Sequence, residues 1–388
     1  MTFSAKPKAD WVSRLPPHCL VSILEYFSLK DRFSAALVCR EWYEQGFLAP
    51  QLWRRYRFKF ESGYDQGKQQ LQLIECQVHC LRLVCTGENP LFYGGLELLE
   101  ALRAFGAAGK TDSKNTSINS TESSSLTVNA TNKSQLHRLD LSKFPFTLTD
   151  DLVSSFGGHF RSLRCVDLQS RCLVCKVTPA VLQELAENAT NLSDLRVFYS
   201  SLSDSVLCAL AEHAAYSLRH ISILAKRQDT LSPGTVSDTA WMHVSDSVQQ
   251  CAANGDELAV TLRFDYTCPL AKIRDVCKPA MPVRRVKLES YTVAPQIVEL
   301  LLQLYADRLR HVTVRTQPDR AVDVAVRAIA RQCEQLAQLH VLCPLETDTI
   351  GDVLVSSRLF FQFVFFAAAP YLLMHKRTAA CVPHDRIW

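Results

Sequence analysis

The sequence predicts an α/β protein in two parts, a small three-helix unit followed by an irregular solenoid with a parallel sheet inside and helices outside. Three observations support this. Residues 11–53 open on Pro16 and Pro17 and then carry apolar residues at helical spacing. Beyond residue 77, short segments of the form apolar-x-x-apolar-x-apolar recur nine times. Between them lie intervals with helix-start residues and helical periodicity.

The first helix follows from Pro16 and Pro17, because proline at the first helical positions sacrifices no hydrogen bond. Leu20, Ile23, Leu24 and Phe27 then fall on one face. Ser28 with Asp31 three residues on is a capping-box-like start for a second helix carrying Phe33, Ala36 and Leu37. A third helix is expected from Arg40, bringing Trp42, Phe47 and Leu48 towards Trp53. A unit this small is marginal alone and cannot bury all these apolar groups internally, which leaves some for a partner.

The order Leu15-Pro16, apolar helix, Asp31-Arg32, the run from Ala35 to Trp42 and the closing Leu52-Trp53 resembles the F-box. The resemblance implies docking onto the Skp adaptor and, through it, a cullin. It implies an adaptor surface drawn from Leu15, Pro16, Ile23, Leu24, Phe27, Asp31, Val38, Trp42, Leu52 and Trp53. Residues 1–10 are an N-terminal tail, and 11–56 the F-box.

The repeats occupy residues 57–345, beginning with Tyr56–Phe60 as a capping strand that leaves the helical unit directly. From Leu139 on, the central anchors advance by 27, 29, 26, 41, 24, 26 and 27 residues. That period and the L-x-x-L-x-L spacing resemble leucine-rich repeats, in which each unit buries its apolar face only against its neighbours. Helices are expected after Thr178-Pro179, Ser203 and Pro295. The position three after the third anchor, where this family often places Asn or Cys, holds Phe144, Arg171, Ser200, Lys226, Tyr291, Gln317 and Pro344, so no asparagine ladder is present. Such weak repeats suggest the F-box only subfamily rather than receptors with regular repeats.

Two segments break the pattern. Residues 107–135 are dominated by Ser, Thr and Asn and read as a disordered insertion, whose Asn-x-Ser/Thr triplets carry no meaning without a secretory signal. Residues 346–388 read as a C-terminal capping helix and tail. The apolar run Leu359–Met374 is sixteen residues long, interrupted by Gln362 and Pro370, and falls short of a membrane span.

Composition fits a folded receptor: 47% of the 388 residues are hydrophobic and 21% charged. The formal charge of +4 is too small to argue for nucleic acid or a membrane surface, and neither is expected as a partner. With no apolar run behind the N-terminal lysines, the fifteen cysteines read as reduced thiols of a cytoplasmic or nuclear protein. Cys172 and Cys175 form a Cys-x-x-Cys without the second pair that a structural zinc site needs, so neither metal nor cofactor is expected. No phosphate-binding glycine loop, nucleophile elbow or metalloprotease motif occurs, and no cysteine has neighbours that would activate it; a non-catalytic subunit is expected.

Residues between the repeat anchors alternate outward and should line the inner face of the sheet. Asp140, Asp167 and Asp194 gather in early repeats, and Arg263, Arg285, Lys287 and Arg315 in late ones, with His311 beside them. These last five are the candidate substrate contacts, suited to an acidic or phosphorylated segment. The reading is a substrate-recognition subunit of a Skp-cullin-F-box ubiquitin ligase; the alternative is a non-degradative scaffold using the same two modules.

Overall fold

The computed structural model describes residues 15–27, 29–47, 49–53, 56–60, 80–85, 136–142, 144, 147–170, 172, 174–227, 236–252, 257–266, 268–289, 295–356 and 362–365. The insertion 107–135, Ser28, the N-terminal tail and most of the C-terminal tail lie outside these. The chain divides into two compact units, Met1–Phe146 with Asp151–Val166, and Thr147–Asp150 with Asp167–Trp388.

The first unit opens with helix α1 (Pro17–Glu25), entered through Pro16 in an extended conformation with proline at the first helical position, as the sequence predicts. Helix α2 (Leu29–Ala36) follows. The third helix is not regular. It is a π-helical turn at Trp42–Phe47 and then the short helix α3 (Pro50–Trp53). Gly46 accounts for the tight approach here: a Cβ on it would lie 2.7 Å from Leu24 Cδ1 and 3.0 Å from Leu20 Cδ2, so a larger residue would have to push these two core side chains aside. Leu20, Leu24, Ala35, Phe47, Leu52 and Trp53 form the core of the helices. Within it, Phe47 packs edge-on against Phe33 and Trp53, with ring centroids 4.9 and 5.0 Å apart.

Strand β1 (Tyr56–Phe60) leaves the helices where the sequence places it and pairs in parallel with β2 (Cys80–Cys85), which pairs with β3 (Arg138–Asp140). Helix α4 (Asp150–Ser155) and a 3-10 turn (Gly157–Ser162) lead to β4 (Cys165–Asp167). Leu136, Leu139, Leu141, Leu163, Val166 and Leu168, six of the predicted anchors, are buried.

In the second unit, strands alternate with helices: α5 (Pro179–Asn188), β5 (Asp194–Phe198), α6 (Asp204–His213), β6 (His220–Ala225), α7 (Asp238–Cys251), β7 (Ala259–Phe264), α8 (Leu270–Val276), β8 (Val283–Glu289), α9 (Pro295–Tyr305), β9 (His311–Arg315), α10 (Arg320–Gln332), β10 (Gln338–Val341), α11 (Thr347–Ser356) and β11 (Gln362–Phe365). Strands β5 to β11 pair in chain order, each parallel to the next. This is the architecture of a leucine-rich-repeat solenoid: the central and third apolar anchors of β5 to β10 are buried, and stacking closes a core along them.

A ladder does hold the repeats together, but it is made of aspartates. Asp150, Asp204, Asp238 and Asp323, each in the first turn of its helix, accept the backbone N–H of Thr178, Ser237, Ala280 and Glu346 in the following repeat at 2.7, 2.7, 2.9 and 3.0 Å. Thr178, Ser237 and Glu346 stand directly ahead of helices α5, α7 and α11, whereas Ala280 stands between α8 and β8; in each case the ionised acceptor makes the bond charge-assisted. The signal was Asp in the first turn of α4, α6, α7 and α10, a position outside the apolar-anchor pattern.

The capping-helix reading of Leu359–Met374 is corrected. Its described part, Gln362–Phe365, is a strand paired with β10, so the strand–helix alternation runs past residue 345. A short apolar run fits a buried strand and a helix equally well, and periodicity cannot separate them.

Candidate functional site

Two surfaces could carry function, one on each unit. On the helical unit the ten expected adaptor residues separate by burial. Leu24, Leu52 and Trp53 are inside, where they hold the three helices together. Leu15, Phe27 and Trp42 are half-buried, and Pro16 and Asp31 are exposed. Ile23 is 39% exposed and Val38 64%, while Tyr26 at 92% and Leu37 at 88% add an apolar surface that the sequence reading had left out of the site. Arg32, in the sequence only a member of the Asp31-Arg32 turn, has a larger role. Its Nε donates to the carbonyls of Leu24 and Phe27 at 2.9 and 3.2 Å, Nη2 to Glu25 at 2.9 Å and Nη1 to Leu52 at 3.1 Å. The guanidinium also lies 5.5 Å from the Trp53 ring. One cation thus satisfies the carbonyls that end α1 and ties them to α3.

On the sheet of the second unit, the face away from the helices is polar. Its early acids are already engaged. Arg196 Nη1 donates to Asp167 Oδ2 at 3.4 Å and Arg196 Nε to Asp194 Oδ1 at 3.0 Å. The other Asp194 oxygen lies 3.3 Å from His220 Nδ1, and His220 Nε2 lies 2.8 Å from Thr261 Oγ1. Asp140 belongs to the other unit, where it accepts from Ser142.

Burial alone would raise the Asp194 carboxyl, but hydrogen bonds from His220 and Arg196 and their charges prevail and hold it at about 2. Its folded value is below that of an unfolded chain, so its stabilisation is complete above about pH 4 and disappears as pH falls through about 2. Asp194→Asn is expected to cost about 2 kcal/mol at neutral pH and to flatten the acid limb of stability against pH. Urea unfolding at a series of pH values checks this, and an unchanged acid limb would refute it.

The late cations differ. Backbone register sets Arg263 directly beside Lys287, and Arg285 directly beside His311. Arg285, Lys287 and Arg315 make no hydrogen bond or ion pair among the described residues. Arg263 donates to Gln169 Oε1 at 2.7 Å, and the Gln169 amide in turn donates to the carbonyls of Val197 and Ser222 at 3.0 and 2.9 Å. A neutral partner therefore fixes Arg263 and leaves its charge uncompensated. Lys287 is held below the usual ammonium value, first by partial loss of water and then by Arg263, Arg196 and Arg285, with Glu289 opposing. The expected stripe is also redrawn. Arg315 sits one row beyond the others, beside Glu289, whereas His340 lies in the Lys287 row, one strand past Thr313. Sequence spacing finds the strands but not this register.

Among the described residues no cluster of His, Cys, Asp or Glu could hold a metal ion, and no helix is long and apolar enough to cross a membrane. Cys175 is buried against Ser201, and burial pushes the Cys172 thiol up.

Fold and surfaces together define a protein of two modules, an F-box-like helical unit and a leucine-rich-repeat solenoid. Residues 12–59 match the F-box-like family model. The chain is 27% identical over 365 residues to F-box/LRR-repeat protein 8 of Homo sapiens, covering 85% of this chain and 88% of the relative. It is 28% identical over 373 residues to the Bos taurus protein of the same name, covering 87% and 90%. It is also 27% identical over 242 residues to F-box/LRR-repeat protein 21 of Bos taurus, covering 55% and 51%. The chain thus carries an F-box-like domain and is homologous to F-box/LRR-repeat proteins over most of its length. These relatives bear the F-box/LRR-repeat name, not the F-box only name that the weak repeats suggest.

Proposed function

We propose that the protein is the non-catalytic substrate-recognition subunit of a Skp-cullin-F-box ubiquitin ligase. The helical unit binds the Skp adaptor and through it the cullin, and the sheet face of the repeats binds a protein substrate. The observation that carries this reading is the F-box-like match at residues 12–59, folded as a helical unit with Pro16, Ile23, Tyr26, Leu37 and Val38 exposed. Exposed apolar groups on a small helical unit are characteristic of a docking surface. The cations Arg263, Arg285 and Lys287 support a substrate that presents an acidic or phosphorylated segment. A non-catalytic role fits both modules, since bringing substrate to a catalyst on another subunit gains rate through proximity.

Replacing Leu15 and Pro16 together by Ala is expected to abolish co-purification of the Skp adaptor while the repeats stay folded, because a few anchors carry most of an interface's energy. Undiminished adaptor binding by this variant would refute the assignment. Recovery of the adaptor without cullin under mild conditions would instead favour a non-degradative scaffold.

A further inference from the structure

The late-repeat face holds two histidines whose buried ring nitrogens the receptor reading leaves without a role. His311 Nδ1 and His340 Nε2 are buried without a hydrogen-bond partner among the described residues. Both rings lie on the cationic face. His311 is flanked by Arg285 across β8 and by Gln338 across β10. His340 is flanked by Thr313 across β9 and by the backbone of Val364 across β11. The two rings are also close enough to act on each other electrostatically.

We propose that an acidic peptide segment, rich in carboxylates, seats across β7 to β10 on Arg263, Lys287 and Arg285, and that its capture is coupled to proton uptake by His311 and His340. This rests on the receptor reading of the sheet face. The spread of the cations selects the ligand. They lie in two rows roughly 6.6 Å apart, on strands about 4.8 Å apart, so successive carboxylates along a peptide can each meet one of them. A single phosphate engages donors gathered at one point, whereas a run of carboxylates can use both rows.

The proton coupling follows from the surroundings. In the free protein a second proton on either ring would place an N–H where no acceptor stands, beside like charges. His311 is held below the ordinary imidazole value by burial first, then by Arg285, His340 and Arg310. His340 is held down by burial first and then by Lys287. Glu289, on β8, faces Arg315 in register and acts on Lys287, and it is not among the groups that act on either ring. A line of carboxylates laid over this face reverses the local field and favours both imidazolium forms. Binding then takes up protons, so affinity rises as pH falls from about 7.5 and levels off below the depressed free-state values.

The test is fluorescence anisotropy of a labelled oligo-aspartate peptide with the full chain co-purified with its adaptor, at fixed salt, at about pH 7.5 and about pH 5.5. The aspartates stay ionised throughout. Binding is expected to tighten by about tenfold for each unit by which the peptide raises a histidine's pKa, and by at least about fivefold in all. His340→Gln is expected to reduce the slope, and His311→Gln with His340→Gln to abolish it, with the melting transition of the repeats retained. Equal affinity of the parent at both pH values overturns the proton coupling and leaves the receptor reading intact, as does a full slope in the double variant. No oligo-aspartate binding at either pH overturns this inference together with the acidic-segment part of the receptor reading; adaptor co-purification tests the rest of that reading separately.

Discussion

Arg32→Ala is expected to unfold the helical unit and with it to abolish adaptor binding, while the repeats keep their own melting transition. The substitution removes the side-chain donor from the carbonyls of Leu24, Glu25, Phe27 and Leu52, of which Leu24 keeps the backbone N–H of Phe27 at 3.1 Å. Three of these lie at or just past the end of α1, where carbonyls run short of intrahelical partners and a cation is favoured by the helix dipole. Hydrogen bonds to a charged group contribute about 1.5 to 3 kcal/mol each, and part of the site is open to water, so a total loss of about 3 kcal/mol is expected. A unit of under about fifty residues has little more than that in reserve. Arg32→Lys is expected to recover only a fraction, since an ammonium is a point charge and cannot span carbonyls on two sides as a planar fork does. Amide hydrogen exchange in α1 and α2, read alongside adaptor co-purification, checks the prediction. Unchanged protection of α1 in the Ala variant would show that the guanidinium is dispensable.

The second large effect concerns the sheet face. Arg285→Glu with Lys287→Glu is expected to weaken capture of an acidic substrate by about a hundredfold at low salt and by much less at high salt. The two side chains occupy neighbouring rows on one strand, and neither has an ion-pair partner among the described residues. The reversal therefore turns attraction into repulsion without releasing a buried acid. Arg315→Glu is expected to have a markedly smaller effect, because Arg315 lies beside Glu289 and contributes little net field. Substrates found by proximity labelling under proteasome inhibition provide the assay, with adaptor co-purification as the control for folding. If they bind the double variant as well as the parent, the cations are surface charge and nothing more.

Much of this molecule was legible in the chain. The nine apolar segments all became strands, because a strand buried on one side needs an apolar side chain at every second position and that need is written locally. Pro16-Pro17 and Ser203 started helices for equally local reasons: a missing N–H that costs nothing at a helix start, and a hydroxyl that accepts from the backbone of Val206. The F-box was legible as an order of residues.

The tertiary structure decided what depends on groups far apart in sequence. Whether Leu24 faces a partner or the core depends on the approach of Gly46 twenty-two residues later, so the periodicity that placed it on an apolar face could not say which. Arg32 looked like part of a capped turn and proved to be a clamp, because its acceptors come from both α1 and α3. The charge pattern of the sheet face turned on register. Asp167 and Asp194 are engaged by Arg196 and His220, while Arg263 is held by a glutamine ninety-four residues away. The sequence alone determined the order of strands and helices and the identity of the side chains on the sheet face, since alternation is a property of the backbone. Which of those charges remain free to act was decided only by stacking one repeat on the next, because an ion pair forms between neighbours in space and register between strands sets who those neighbours are.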